Sequence, residues 1–357
     1  MTQQNFDAAK AEAFGNKMLE VLNHGALALM ISIGHRTGLF DAMAGSGPVT
    51  SQQLADRAGR SERYVREWLG AMLTGRMVEY DPETRQFHLP AEHAALLTRA
   101  AAPNNMAAFA QYVGLLGSVE DRVVECFEKG GGVPYSAYPR FQEVMAEDSG
   151  QTVVAALTSH ILPLVPGLTE ALEKGINVLD VGCGSGAAMN FLARTFPNSR
   201  FSGYDFSEAG IARARAEADQ HGTRNVTFAV KDVSDLGISQ AFDLVTTFDA
   251  VHDQAHPDRV LAGIGKALRQ DGVYLMQDIH SSTHVHENAE HPAGTFLYTI
   301  SCMHCMTVSL ASGGRGLGAM WGHQTATTML RDAGFQNIEI RRLAHDFQND
   351  WYICRRA

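Results

Sequence analysis

Two short stretches concentrate the residues that can do chemistry. "VLDVGCGSG", from Val178, puts Asp180 just ahead of a turn containing Gly182, Gly184 and Gly186. "FDAVHDQAHP", from Phe248, sets His252 beside Asp253, with His256 directly before Pro257. Backbone without Cβ atoms allows the close approach of a ligand. A histidine next to an acid can take up a proton near neutral pH, since the unperturbed imidazole pKa is about 6.5. The first stretch reads as a binding turn and the second as a proton-handling pair.

Both need a scaffold that gathers strand ends, and the chain from Asn177 onward supplies it. "NVLDVG", "RFSGYD", "VTFAVKDV", "FDLVTTFDAV" and "VYLMQDI" read as five short strands. Helical segments separate them, among them "AAMNFLART", "EAGIARARAEADQHG" and "PDRVLAGIGKALRQ". Such alternation predicts a parallel sheet covered on both faces, with ligands bound beyond the carboxyl ends of the strands where strand order reverses. Pro257 suits the first turn of a helix and keeps His256 out of helical geometry, so His252, Asp253 and His256 belong to a loop above the sheet.

Three acids end consecutive strands: Asp180, Asp205 in "FSGYDFS" and Asp232 in "VKDVSD". An acid at 205 can accept hydrogen bonds from both hydroxyls of a ribose, and one at 232 can receive an adenine amino group. Asp180 suits a cationic, amine-bearing end better than a pyrophosphate. Gly186 comes one residue too early for the Gly-x-Gly-x-x-Gly fingerprint of nicotinamide dinucleotide folds. The implied ligand is an adenosine with no phosphates and some positive charge, which describes S-adenosylmethionine.

The amino-terminal half has a different plan. Residues from about 7 to 38 read as two helices, and residues 40–90 as a winged helix-turn-helix with the hairpin "MVEY"/"QFHL" around "DPETR". That pattern suits either DNA binding, with the helix at 61–75 in a major groove, or a dimerisation and lid module. The helix mixes Arg63 and Arg66 with Glu62 and Glu67, and a net charge of −10 weighs against a phosphate-binding surface. Residues 100–175 look helical apart from "EKGGGVPYSAYPRF", which is either a linker or a loop whose Tyr135 and Tyr138 fold over a ligand. The expected domains are 1–100, winged helix; 101–170, helical connector; and 171–357, cofactor domain.

No apolar run reaches the roughly 20 residues of a membrane helix, and the start shows no secretory pattern. Five cysteines without framework spacing fit a reduced cytoplasm. Nine of the 15 histidines lie between His252 and His345. After the fifth strand, Phe296, Met303, Met306, Met320 and Trp321 suit an adaptable apolar wall for an acceptor. His280, His284, His286, Cys302, His304 and Cys305 carry donors that suit zinc or copper. Without a second Cys-x-x-Cys, the expectation is no metal and solvent-exposed loop histidines, with His256, His280 and His304 as candidates to contact substrate.

On "VLDVGCGSG" and the acids that follow it, the chain over about residues 170–357 resembles the class I S-adenosylmethionine-dependent methyltransferases. The resemblance implies a Rossmann-like α/β fold with a seven-stranded sheet, completed by an antiparallel hairpin that "QNIEIRRL" and "DWYICRRA" can supply. It places Asp180, Gly182 and Gly184 at the methionine end, Asp205 at the ribose, and Asp232 with Val233 at the adenine. Cys183, Gly186, Phe206 and Phe248 complete the expected cofactor contacts. With the winged helix and the His252–Asp253 pair, the chain also resembles small-molecule O-methyltransferases, though Gln254 stands where that family carries Trp. "HDQAHP" is closer to a group of bacterial methyltransferases. These likenesses imply a homodimer that methylates a small hydroxyl compound, with His252 as general base oriented by Asp253. Methylation of a thiol or other soft nucleophile is the alternative chemistry. A non-catalytic, S-adenosylmethionine-sensing winged-helix regulator is the alternative class.

Overall fold

The computed structural model describes residues 6–356. The chain divides into two compact units, residues 1–114 and 115–357.

In the first unit, the span expected as two helices is mostly one: α1 runs from Ala8 to Thr37, followed by the short α2, Leu39–Met43. No proline interrupts α1. It stops at Gly38, whose left-handed backbone lets its N–H close on the carbonyls of Gly34 and His35. Thr50 and Gln53 form a reciprocal capping box that starts α3, Ser51–Ala58. Then come α4, Glu62–Thr74, and an antiparallel wing of β1, Glu79–Asp81, and β2, Gln86–His88, with Val49 bridging to Phe87. The winged helix-turn-helix is therefore present. Phe40, Leu54, Trp68, Leu69 and Met72 form its core, and the Trp68 indole donates to the Met30 carbonyl at 2.9 Å. On α4, Arg66 donates to both carboxylate oxygens of Glu62 and Arg63 to Glu67, so its cations are matched within the helix.

The second unit is built on a seven-stranded sheet: β3, Asn177–Val181; β4, Arg200–Asp205; β5, Val226–Val230; β6, Phe242–Phe248; β7, Leu268–Ile279; β8, Phe335–Arg341; and β9, Asn349–Arg356. Its order is β5-β4-β3-β6-β7-β9-β8, with β9 antiparallel to both neighbours and the other pairings parallel. This is the class I methyltransferase sheet. Side chains alternate across β3, so Val178 joins one core with Met189 and Phe201, while Leu179 and Val181 join the other with Val245 and Tyr274. The helix beginning at Pro257 ends at Ala267, earlier than its apolar pattern suggested, because Leu268 already pairs with Phe242 as the start of β7. Strand order reverses between β3 and β6, which brings the glycine turn and the His252 loop to one crevice. Among the described residues no helix is long and apolar enough to cross a membrane.

Gly186 has a packing role within this frame. Its φ is +71°, and a Cβ there would lie 2.5 Å from the Phe228 ring and 2.6 Å from the Ala214 methyl. We expect Gly186→Ala to lose about 1–3 kcal/mol of stability in urea unfolding, from combined overpacking and left-handed strain. An unchanged midpoint would show that the turn tolerates a side chain.

Candidate functional site

The crevice forms beyond the carboxyl ends of β3, β4 and β6, in the second unit. Its lining includes Asp180, Gly182, Cys183, Gly184, Asp205, Phe206, Phe248 and Asp253. Asp180 is buried at the end of β3 and accepts a hydrogen bond from Thr246 Oγ1 on the neighbouring β6, at 2.8 Å. Burial pushes its carboxyl up to about 7, against the Thr246 hydrogen bond and helped by the nearby Asp205. Asp205 accepts from the backbone N–H of Gly184 at 2.9 Å and of Ser207 at 2.8 Å, which ties the second strand end to the glycine turn. Burial raises its carboxyl too, outweighing those hydrogen bonds.

The other expected residues are distributed differently. Gly186 packs behind the turn, Val233 is part of the core under the sheet, and Asp232 is exposed with its Oδ1 accepting from Ser234 N. None of the three lines the crevice. His256 is an exposed residue at the start of its helix. His280 stands over the end of β9, with Nδ1 3.0 Å from Asp350 Oδ2.

His252 sits behind the crevice wall, almost fully buried. Its Nδ1 is 2.7 Å from Asp278 Oδ1, and its Nε2 is 3.2 Å from Asp253 Oδ1 without the alignment of a hydrogen bond. Burial alone would lower the imidazole pKa; the two carboxylates, Asp278 first, reverse that and raise it well above its usual value. Asp253 faces the crevice. Burial works against its charge, but His252 and its other partners hold its carboxyl far below the usual range. Its Oδ2 accepts from the Tyr135 hydroxyl at 2.9 Å.

Tyr135 comes from the glycine-rich break, so that segment is a wall of the site and not a free linker. Val133 N donates to Thr307 Oγ1 at 2.8 Å and the Tyr138 hydroxyl to the Met303 carbonyl at 2.6 Å. At Gly132 a Cβ would fall 2.0 Å from the Thr307 carbonyl oxygen, so only glycine fits this approach. His304 and Cys305 are buried in a π-helical turn, Ser301–Cys305, instead of standing in an exposed loop. The His304 ring stacks on Phe141 at 4.0 Å, with Nδ1 3.8 Å from Asp253 Oδ2, and burial lowers its pKa to about 4. His284 and His286, like His256, are exposed.

Several residues escaped the sequence reading. Asp278 anchors His252, and its Oδ1 also takes the Trp321 indole at 2.9 Å and the Ile279 N–H at 2.8 Å. The same strand-end criterion that singled out Asp180 would have found it, since "YLMQDI" closes the fifth strand. Trp321, expected in an acceptor wall, is instead buried in this role. Asp249 follows β6 at φ +50°, lines the crevice, and is raised well above the usual carboxylate range by burial and by Asp278. Phe141 required the tertiary structure.

Known proteins fit this geometry. Residues 25–99 match the family described as Rv2258c-like winged HTH domain, and residues 172–334 match a methyltransferase domain family. Among curated relatives, phthiotriol/phenolphthiotriol dimycocerosates methyltransferase 1 of Mycobacterium ulcerans is 30% identical over 129 residues, 36% of this chain and 46% of the relative. Fatty-acid O-methyltransferase of Mycolicibacterium smegmatis is 32% identical over 110 residues, 30% of this chain and 39% of the relative. The match thus spans less than half of either relative. Human N-acetylserotonin methyltransferase, solved in complex with SAM, superposes with a TM-score of 0.69 at 17% identity, covering 100% of this chain and 99% of that one. Mitomycin 7-O-methyltransferase MmcR gives 0.67 at 18%, covering 98% and 100%. At such identities the likeness is one of fold. The chain joins a winged helix-turn-helix domain to a methyltransferase domain.

A cationic ligand amine near Asp180 needs that carboxylate ionised, yet in the free protein it holds its proton up to about pH 7. S-adenosylmethionine binding should therefore tighten as pH rises from about 6 and level off above about 7, by up to about tenfold per unit. Calorimetry on the wild type and Asp180→Asn checks this: the variant should bind more weakly and with a shallower pH dependence, carried by Asp205 and Asp249 alone. A wild-type affinity that is flat across the same range would remove Asp180 from the cofactor's charge balance.

Proposed function

We propose that the chain transfers the methyl group of S-adenosylmethionine to a hydroxyl of a small molecule, with His252 taking the hydroxyl proton. One observation carries this reading: His252, held by Asp278 at 2.7 Å, lies 3.2 Å from Asp253, which lines the crevice that Asp180, Asp205 and the glycine turn create. In the transfer, an oxygen lone pair attacks the sulfonium methyl in line. The new C–O bond forms as the C–S bond breaks, and the sulfur leaves neutral as S-adenosylhomocysteine. Positioning supplies much of the rate, and the proton must go to a base.

The Asp278 contact at Nδ1 leaves Nε2 as the atom that receives the proton, and Asp253, which lies between Nε2 and the crevice, guides the hydroxyl toward it. Two anions stabilise the resulting imidazolium. The sulfonium entering beside them opposes a resting proton on His252 and favours the neutral ring that acts as base. In the cofactor's site, Asp205 receives the ribose, Asp180 the amino group, and the turn at Gly182–Gly184 the methionine chain. Phe206, half exposed at the mouth, offers a face for the adenine.

The winged-helix unit is proposed to form a homodimer through α1. That helix exposes Phe14, Leu19, Val21 and Leu22 within about two and a half turns, more apolar surface than a solvated helix usually presents.

Methyl transfer from labelled S-adenosylmethionine to a panel of phenols, alcohols, thiols and carboxylates tests the reaction. Transfer to a hydroxyl that falls about 10²–10⁴-fold in His252→Ala, with cofactor affinity kept, is the expected outcome. Transfer to thiols that survives the substitution would replace it with S-methylation, and tight cofactor binding without transfer would favour a sensor. Separately, light scattering should find a dimer for the wild type and a monomer for the double substitution Leu19→Glu, Leu22→Glu. A wild-type monomer at micromolar concentration would end the dimer proposal.

A further inference from the structure

We propose that His252, Asp253 and Cys305 form a binding site for one thiophilic divalent cation, with zinc as the natural occupant. An imidazole nitrogen, a carboxylate oxygen and the Cys305 sulfur lie within 4.8 Å of one another. Nitrogen, oxygen and sulfur donors from three side chains are a donor set that suits zinc, whose fourth position a solvent ligand can take.

The surroundings are arranged as metal ligands require. A ligating imidazole almost always donates its other N–H to a carboxylate, and His252 Nδ1 does so to Asp278 at 2.7 Å. That contact fixes Nε2 as the free coordinating atom. Asp253 Oδ2 accepts from Tyr135, while Oδ1, enclosed and 3.2 Å from His252 Nε2, faces the two other proposed ligands. Cys305 is buried in the π-helical turn with no disulfide, so the surroundings protect it from oxidation. Asp253 lines the crevice, which gives an ion its way in. A second group, Asp249, His252 and Asp278, is equally compact, but its histidine nitrogen is already committed to Asp278.

Binding expels the Cys305 thiol proton to solvent, while His252 Nδ1 keeps its proton for Asp278 and Nε2 gives its lone pair to the ion. No redox change is involved. Under the hydroxyl-methylation reading, on which only this consequence rests, the ion takes the lone pair that would accept the acceptor's proton and so silences the base.

Cobalt(II), a spectroscopic stand-in for zinc, is titrated into the reduced full-length protein with no cofactor or acceptor present. One equivalent should produce a near-ultraviolet thiolate-to-cobalt band with strong visible bands of a low-coordinate site, and zinc should displace it. Cys305→Ser should abolish the thiolate band, and Asp253→Asn should weaken binding at least about tenfold. Cys126→Ser, on a separate helix, should leave both unchanged. Calorimetry in buffers of different ionisation enthalpy should report proton release on binding. No thiolate band at one equivalent, a band that persists in Cys305→Ser, or binding lost on His284→Ala with His286→Ala would each overturn the site. Circular dichroism and cofactor binding show whether each variant is folded, and Asp253→Asn carries the test if Cys305→Ser is not. The spectrum needs no turnover, so a missing band with intact methyl transfer sinks the metal site alone, whereas a band without any transfer sinks only the function.

Discussion

Three donors converge on one oxygen of Asp278: the His252 imidazole, the Trp321 indole and the Ile279 backbone N–H. The residue is wholly buried, and those donors stand in for the water that burial removes. Breaking such an arrangement on one side costs about 3–5 kcal/mol, since the remaining charge is left uncompensated. The pairing sets the orientation of His252, hence which nitrogen faces Asp253, hence what the crevice can do to a ligand. It also joins the loop after β6 to the end of β7 and to the segment before the last helix.

The crevice itself gathers carboxylates at low dielectric. Asp180, Asp205 and Asp249 all line it, and burial raises the proton affinity of each. That is an unfavourable arrangement for an empty protein and a favourable one for a cationic ligand, whose charge offsets the repulsion at the moment of binding. Preorganised negative charge of this kind favours a sulfonium over a pyrophosphate without any specific contact to sulfur.

The winged-helix unit illustrates how one fold serves different ends. Helix α4 has the position and the arginines of a DNA-reading helix, but each arginine is matched by a glutamate one turn away. Phosphate contact would have to break those pairs in a chain whose overall charge already repels nucleic acid.

The sequence alone determined the sheet, the winged helix and the crevice's location, because each depends on local signals: alternating apolar strands, capping residues, glycines that only a tight turn needs. The strand-end acids and the His252–Asp253 pair were legible for the same reason. What lay beyond it were the partners that arrive from far along the chain. Asp278 meets His252 across 26 residues and Tyr135 meets Asp253 across 118, and nothing in the local pattern of either announces the other. The expectation of exposed histidines failed at His304 because a π-helical turn packed its ring against Phe141, and Asp232 stayed in solvent because its own loop satisfied it through Ser234. Local sequence sets which elements form and which way they face. Only the packed tertiary structure decides which buried charges meet, since that depends on where water has been excluded.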